Sequence, residues 1–185
     1  MESKLTKLIS LIFILLLIGC VSGTQEEENI KVEYEIPSHL SKQETSYFLI
    51  GHAETGTSNP DDHTELSGQG FEQAAFWGDF FSDKELDLFY TTTETFAFQT
   101  MIPIVHPYKG QVNNLEDKLT FDREFWRDTY GQKVVIVSYD QHNTDFVNDI
   151  LQHNKYRSED LTDKNYLIRL DIDIKRQVKD TLIKF

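Results

Sequence analysis

The chain has few of the residues that staple or punctuate a fold. Its 185 residues include one cysteine, four prolines and nine glycines. A single thiol, Cys20, excludes an internal disulfide. Cations are also scarce, with 18 Lys and Arg against 31 Asp and Glu, a formal charge of -13. A body this acidic is repelled by nucleic acid and by anionic lipid head groups, so nucleic-acid binding drops out as a function class. No apolar run is long enough for a comfortable membrane span of about 20 residues: residues 8–18 are short and broken by Ser10. No internal repeat is present. His52, Asp61, Asp62, His63 and His142 are of types that bind zinc, but nothing fixes a ligand spacing among them, and Asp61 and Asp62 read as a solvated turn. No cofactor or metal is therefore expected.

The amino terminus has the make-up of a secretory signal. Lys4 and Lys7 precede the apolar run, and a small residue, Gly19, stands before Cys20. Leu17-Ile18-Gly19-Cys20 resembles a bacterial lipobox. That resemblance implies removal of residues 1–19, diacylglycerol on the Cys20 sulfur and acylation of the new amino group. Such a protein would be lipid-anchored in the bacterial cell envelope, periplasmic or surface-exposed, with the membrane as one partner; two or more acyl chains anchor stably where one does not. Residues 20–42 are rich in Ser, Gly, Thr, Gln and Glu, with Glu26, Glu27 and Glu28 in a row, and read as a flexible acidic tether. Residues 43–185 suit one domain with a single core.

Within that domain, residues 45–51 form an apolar run bounded by polar residues and ended by Gly51, the pattern of a strand covered on both faces. His52 follows at its carboxyl end, where ligands bind in open α/β sheets. A helix capped by Ser67 is expected next, burying Phe71, Ala74, Ala75, Gly78 and Phe81. Residues 86–91 alternate as a strand near a sheet edge, or with one face partly wet, does. Residues 92–105 read as a helix stopped by Pro107, residues 111–115 as a short strand and residues 121–129 as a helix. Residues 133–139 are the clearest central parallel strand. A helix over 144–153 and two closing strands over 166–174 and 178–185 complete the order. The alternation predicts an α/β fold, a three-layer sandwich with a mostly parallel central sheet flanked by helices.

On these pieces the chain resembles the histidine phosphatase family, the phosphoglycerate mutase-like fold. Tyr47 to Thr55, with Gly51-His52-Ala53-Glu54, is similar to the family's strand ending in Arg-His-Gly or Arg-His-Ala followed by Glu. Leu66-Ser67-Gly68-Gln69-Gly70-Phe71-Glu72-Gln73-Ala74 is similar to its next motif. Gln99-Thr100-Met101-Ile102-Pro103 is similar to its Gln-Thr-Ala helix, and Ser138-Tyr139 takes the place of a strand end in Gly-His or Ser-His. The resemblance covers residues 45–174.

It implies a phosphoryl-accepting histidine clamped by two arginines and a second histidine. His52 matches the nucleophile. Gly51 stands at the first arginine, Phe96 or Phe98 at the second, and Tyr139 at the second histidine, while Glu54, Thr55 and His142 would line the same degenerate pocket. Glu116 is the candidate acid from its loop position, and Lys109, Lys118, Arg123 or His142 could swing in as replacement donors. Phosphoryl transfer depends on positioning and positive charge around the phosphate oxygens. The expected protein is thus a catalytically impaired pseudo-phosphatase that binds a protein or small-molecule ligand. The alternative is an active phosphomonoesterase using His52 as a phosphohistidine nucleophile.

Overall fold

A strand bonded on both sides and covered on both faces has no place for an unpaired polar side chain, and this condition explains the centre of the sheet. The computed structural model describes residues 30–35, 43–56, 65–115, 119–161 and 164–185. Cys20, the acidic run, Asp61, Asp62, His63, Glu116 and Lys118 lie outside them. Strand β1 (Thr45–Gly51) is buried along its whole length. Its alternate side chains feed two cores: Tyr47 and Leu49 enter one, Phe48 and Ile50 the other. The pleat imposes that alternation. Strand β4 (Lys133–Ser138) pairs with it in parallel, and Val134 and Ile136 face one core while Val135 and Val137 face the other.

Six strands form one sheet in the order β3-β2-β4-β1-β5-β6, with β2 at Leu88–Thr91, β3 at Val112–Asn114, β5 at Tyr166–Ile172 and β6 at Val178–Lys184. β1, β4, β2 and β3 run parallel, and β5 and β6 form an antiparallel hairpin against β1. Helices α1 (Gly68–Phe81) and α2 (Thr95–Val105) cover the Phe48 face through Ala74, Trp77, Phe81, Ala97 and Met101. Helices α3 (Arg123–Thr129) and α4 (Asp140–Leu151) cover the other through Trp126, Phe146, Val147 and Ile150. The result is the expected three-layer α/β sandwich. Among the described residues no helix is long and apolar enough to cross a membrane.

Several boundaries differ from the sequence expectation, each for a physical reason. Phe71 and Ala75 are exposed on α1, and Gly70 and Trp77 turn inward instead. A Cβ at Gly70 would meet the Glu54 carbonyl oxygen at under 3.0 Å, so close approach of the preceding loop sets the helix rotation. α2 starts at Thr95, and Pro103 sits inside it against Gly78 of α1, where a Cβ would lie 2.7 Å from the proline ring. Beyond α2, His106–Tyr108 continue as a 3-10 turn through Pro107. β2 does lie near the sheet edge, with only the three-residue β3 outside it, and its alternate side chains are half-buried, as expected. α4 begins at Asp140 rather than Thr144, which brings His142 into its first turn. Residues 30–35, read as tether, pack on the domain: Val32 is buried and Tyr34 meets Phe121 at 5.7 Å between ring centroids.

Candidate functional site

His52 stands just past the carboxyl end of β1, beside the end of β4. Its backbone N–H donates to Ser138 O of β4 at 3.1 Å. The next residue is tied to α2: Ala53 N donates to Thr100 Oγ1 at 3.0 Å, and that hydroxyl donates to Phe96 O at 2.8 Å. Gln99 Oε1 accepts from Leu66 N and Gln73 Oε1 from Glu54 N, each at 2.8 Å. The Gln and Thr residues that carried the resemblance therefore hold the loops around His52 in place.

The imidazole is oriented by its own loop. Nδ1 lies 2.9 Å from Ala53 O. A carbonyl oxygen only accepts, so Nδ1 carries the proton and, in the neutral ring, Nε2 keeps its lone pair. Burial lowers the His52 pKa below its ordinary value, reinforced by Lys164 and opposed by the Ala53 hydrogen bond, Asp140 and Glu94. The ring is half-covered by aromatics: Phe96 lies 4.5 Å away between centroids and Tyr139 5.4 Å, with Phe96 and Tyr139 themselves 5.9 Å apart. The three rings are in mutual contact, so Phe96 and Tyr139 fill the space beside the histidine. Tyr139 also meets His142 at 5.2 Å.

The position beside His52 is closed by an acid network. A Cβ on Gly51 would come closer than 3.0 Å to Asp140 Oδ1 and within 3.2 Å of the Tyr166 ring and hydroxyl. Asp140 is held there by Lys164 Nζ at 2.7 Å and by the Tyr166 hydroxyl, which donates at 2.9 Å. Asn143 Nδ2 donates to Tyr166 Oη at 3.0 Å and to Ile50 O at 2.9 Å, and Ser138 Oγ donates to Asn143 Oδ1 at 2.7 Å. Burial beside Asp140 pushes the Tyr166 pKa up. On the other side, Glu94 lies next to the hydroxyls of Thr92 and Tyr139 and near His142. Burial opposes its ionisation, but those donors and the histidine outweigh it and lower its pKa. Burial and Glu94 raise that of Tyr139.

Of the residues named from sequence, the structure gathers Gly51, His52, Phe96, Tyr139 and His142. Of the two phenylalanines, Phe96 faces His52 and Phe98 is exposed. Glu54 and Thr55 serve the loop instead: the Glu54 carboxylate accepts from Ser67 Oγ at 3.0 Å, and Thr55 bridges to Leu66. Lys109 ends the 3-10 turn in a left-handed conformation and Arg123 opens α3 on the surface; the cation acting on His52 is Lys164. Sequence reasoning missed Asp140, Asn143, Lys164, Tyr166 and Glu94. Asp140 had a local signal, an acid directly after a strand at a helix start, whereas Lys164 and Tyr166 arrive from the far hairpin. Among the described residues no three His, Cys, Asp or Glu side chains cluster as metal ligands. Two clefts, of about 610 and 400 Å³, lie elsewhere and do not include His52.

No family model matches the sequence, and no curated protein matches it. Solved structures do. A protein histidine phosphatase SixA complexed with tungstate superposes with a TM-score of 0.59 at 11% identity, over 75% of this chain and 96% of that one. A phosphoglycerate mutase from Bacillus anthracis gives 0.58 at 11%, over 80% and 95%. The alpha-ribazole phosphatase from Shigella flexneri gives 0.56 at 15%, over 76% and 96%. At these identities the likeness is one of fold.

Proposed function

Starting from a chain with the histidine phosphatase, phosphoglycerate mutase-like fold, we propose that this protein is a pseudo-phosphatase. It is anchored in the bacterial envelope by lipid on Cys20 and acts by binding a protein or small-molecule ligand rather than by hydrolysis. One observation carries the reading: the volume that a side chain at Gly51 would need is occupied by the Asp140 carboxylate, fixed by Lys164 and Tyr166. A carboxylate beside the nucleophile position repels the phosphate that an arginine there would attract. Phe96 on the other side adds an apolar wall. Loss of one preorganised donor costs roughly a hundredfold to a thousandfold in rate in other enzymes, and here both arginine positions and the second histidine position lack theirs.

The experiment is an aryl-phosphate hydrolysis assay with the wild type and His52→Ala, alongside melting curves with phosphate, vanadate and tungstate. No turnover and no oxyanion-induced rise in melting temperature are expected. Hydrolysis that disappears in His52→Ala would overturn the proposal.

A second reading is favoured by the His52 tautomer. With Nδ1–H on Ala53 O, the Nε2 lone pair is free to attack phosphorus. The ester P–O bond would then break, its oxygen taking a proton from an acid for which Glu116 is the sequence candidate, and water would cleave the N–P bond to restore His52. Phosphohistidine on the His52 peptide by mass spectrometry distinguishes this reading from the first.

A further inference from the structure

The described chain begins at Ile30, already fixed to the domain. Val178 N donates to Ile30 O and Val32 N to Arg176 O, each at 3.0 Å, and Lys31 bridges Gln177. Arg176 Nη1 donates to Glu33 O and Tyr34 O at 3.2 and 2.9 Å. Nine residues, 21–29, separate Ile30 from Cys20, and the ten steps between them span at most about 35 Å when fully extended. A domain of this size has a radius of gyration of roughly 15 Å, so an acylated Cys20 holds it within one domain width of the bilayer. With Cys20 acylated, the attachment point at Ile30 lies no more than about 35 Å from the bilayer.

Charge selects the face. The turn joining β5 to β6, residues 173–177, carries Ile174, which is 53% exposed, followed by Lys175 and Arg176. Lys31 and Lys179 flank it, and Lys31, Lys175 and Lys179 are exposed and form no ion pair among the described residues. The guanidinium of Arg176 donates to carbonyl oxygens, not to a carboxylate. A cleft of about 610 Å³ beside them is lined by Lys31, Glu33, His153 and Arg176 among others. The acids at this end are Glu33, Glu35, Glu44, Asp171 and Asp173; Asp171, opposite Lys179, is paired with Arg169, and Asp173 Oδ1 is occupied by Lys175 N and Gln177 N at 2.8 Å. Lys31, Lys175, Arg176 and Lys179 thus balance Glu33, Glu35, Glu44 and Asp173, a locally neutral tip with an exposed Ile174 on a chain of net charge -13.

The tip and the His52 site lie at opposite ends of the sheet. Ile172 pairs with Thr45 at the start of β1, whereas Gly51 and His52 are at its finish, about 20 Å away at the usual rise per strand residue. Glu54, Glu94 and Asp140 crowd that far end.

We propose that the β5–β6 turn, with Lys31 and Lys179, is a docking surface for anionic phospholipid head groups that orients the tethered domain with His52 facing away from the bilayer. The proposal rests on acylation of Cys20. The lipid supplies the affinity, and the charge asymmetry supplies the orientation: the acidic bulk is pushed outward while the locally neutral tip is not.

Cys20 is the only native cysteine, so an added thiol labels uniquely in the acylated full-length chain. Ile174→Cys and Thr93→Cys, the latter in the loop after β2 at the His52 end, are each labelled with a fluorophore. Both are reconstituted into phosphatidylglycerol vesicles containing a head-group quencher. Quenching at position 174 is expected to exceed that at 93 by threefold or more, as an order-of-magnitude expectation for a labelled face within a Debye length of the surface against one beyond it. It should fall by about half or more in 0.5 M salt and in a Lys31→Gln, Lys175→Gln, Lys179→Gln background. Equal quenching at the two positions, or more at 93, overturns the orientation. A Cys20 peptide without acyl mass overturns the anchor and the orientation with it. Neither result bears on the hydrolysis assay, which tests the His52 pocket by itself.

Discussion

Replacing Gly51 by alanine sets two opposing effects against each other. The favourable one acts on the unfolded chain: Gly51 is not among the glycines with positive φ, so alanine can adopt its backbone, and restricting the unfolded ensemble stabilises by about 0.4–1 kcal/mol. The unfavourable one is local. The new Cβ would be closer than 3.0 Å to Asp140 Oδ1 and 3.2 Å from the Tyr166 ring. Asp140 can leave only by loosening its 2.7 Å contact with Lys164 and its 2.9 Å contact with Tyr166. Tyr166 is fully buried and braced by Asn143, so it has little room to give. Overpacking of this kind costs about 1–3 kcal/mol. The net expectation is destabilisation by about 1–2 kcal/mol, which for a domain of this size lowers the melting temperature by about 2–8 °C. Urea and thermal denaturation of the purified protein measure it, and a cycle with Asp140→Ala should give a coupling of about 1 kcal/mol or more, because the second change removes the atom that the first one meets. A Gly51→Ala protein as stable as the wild type, or a cycle without coupling, would refute the claim that Asp140 fills the position beside His52.

Three further outcomes test other parts of the argument. The folded His52 pKa is lowered by burial, so the unfolded chain takes up a proton before the folded one does; stability should decline as pH falls from about 6.5 through the folded value, and urea midpoints against pH should lose that slope in His52→Gln. Phe96→Ala should cost about 3–5 kcal/mol for a buried ring and also let water reach the imidazole, moving the His52 titration back up; a proton NMR titration that does not move would show that Phe96 is not what dries the ring. Gly70→Ala places a methyl against the Glu54 backbone carbonyl and should destabilise by about 3 kcal/mol, whereas Gly68→Ala, with open space around it, should be neutral or slightly stabilising in the same chemical denaturation.

The strand and helix order was legible because burial on both faces demands apolar runs such as those at 45–51 and 133–139, and these need no knowledge of their neighbours. The start of α4 was not: residues 140–143 are Asp-Gln-His-Asn, a polar segment without apolar periodicity, and it is helical because Ser138 and Tyr166 meet Asn143 from other elements. Phe71 illustrates the same limit on α1, where periodicity named it as core and the close approach of the Glu54 carbonyl at Gly70 turned it outward. At the site, the resemblance read from the sequence pointed to Gly51, to Phe96 or Phe98, and to Tyr139 as departures from a phosphate-binding pattern, because those positions are counted from His52 and from the Gln-Thr pair along the chain. It gave no reason to look for Lys164 or Tyr166, which reach the site only through the pairing of β5 with β1.

By itself, then, the sequence determined the alternation of strands and helices, the position of one histidine at a strand end and the absence of arginines beside it, all of which are properties of neighbouring residues. Only the tertiary structure decided what stands around the histidine. An acid locked by a lysine and a tyrosine beside Gly51, and a phenylalanine against the imidazole, are contacts between residues 24 to 115 positions apart in the chain, and such contacts are set by sheet order and register, not by local pattern.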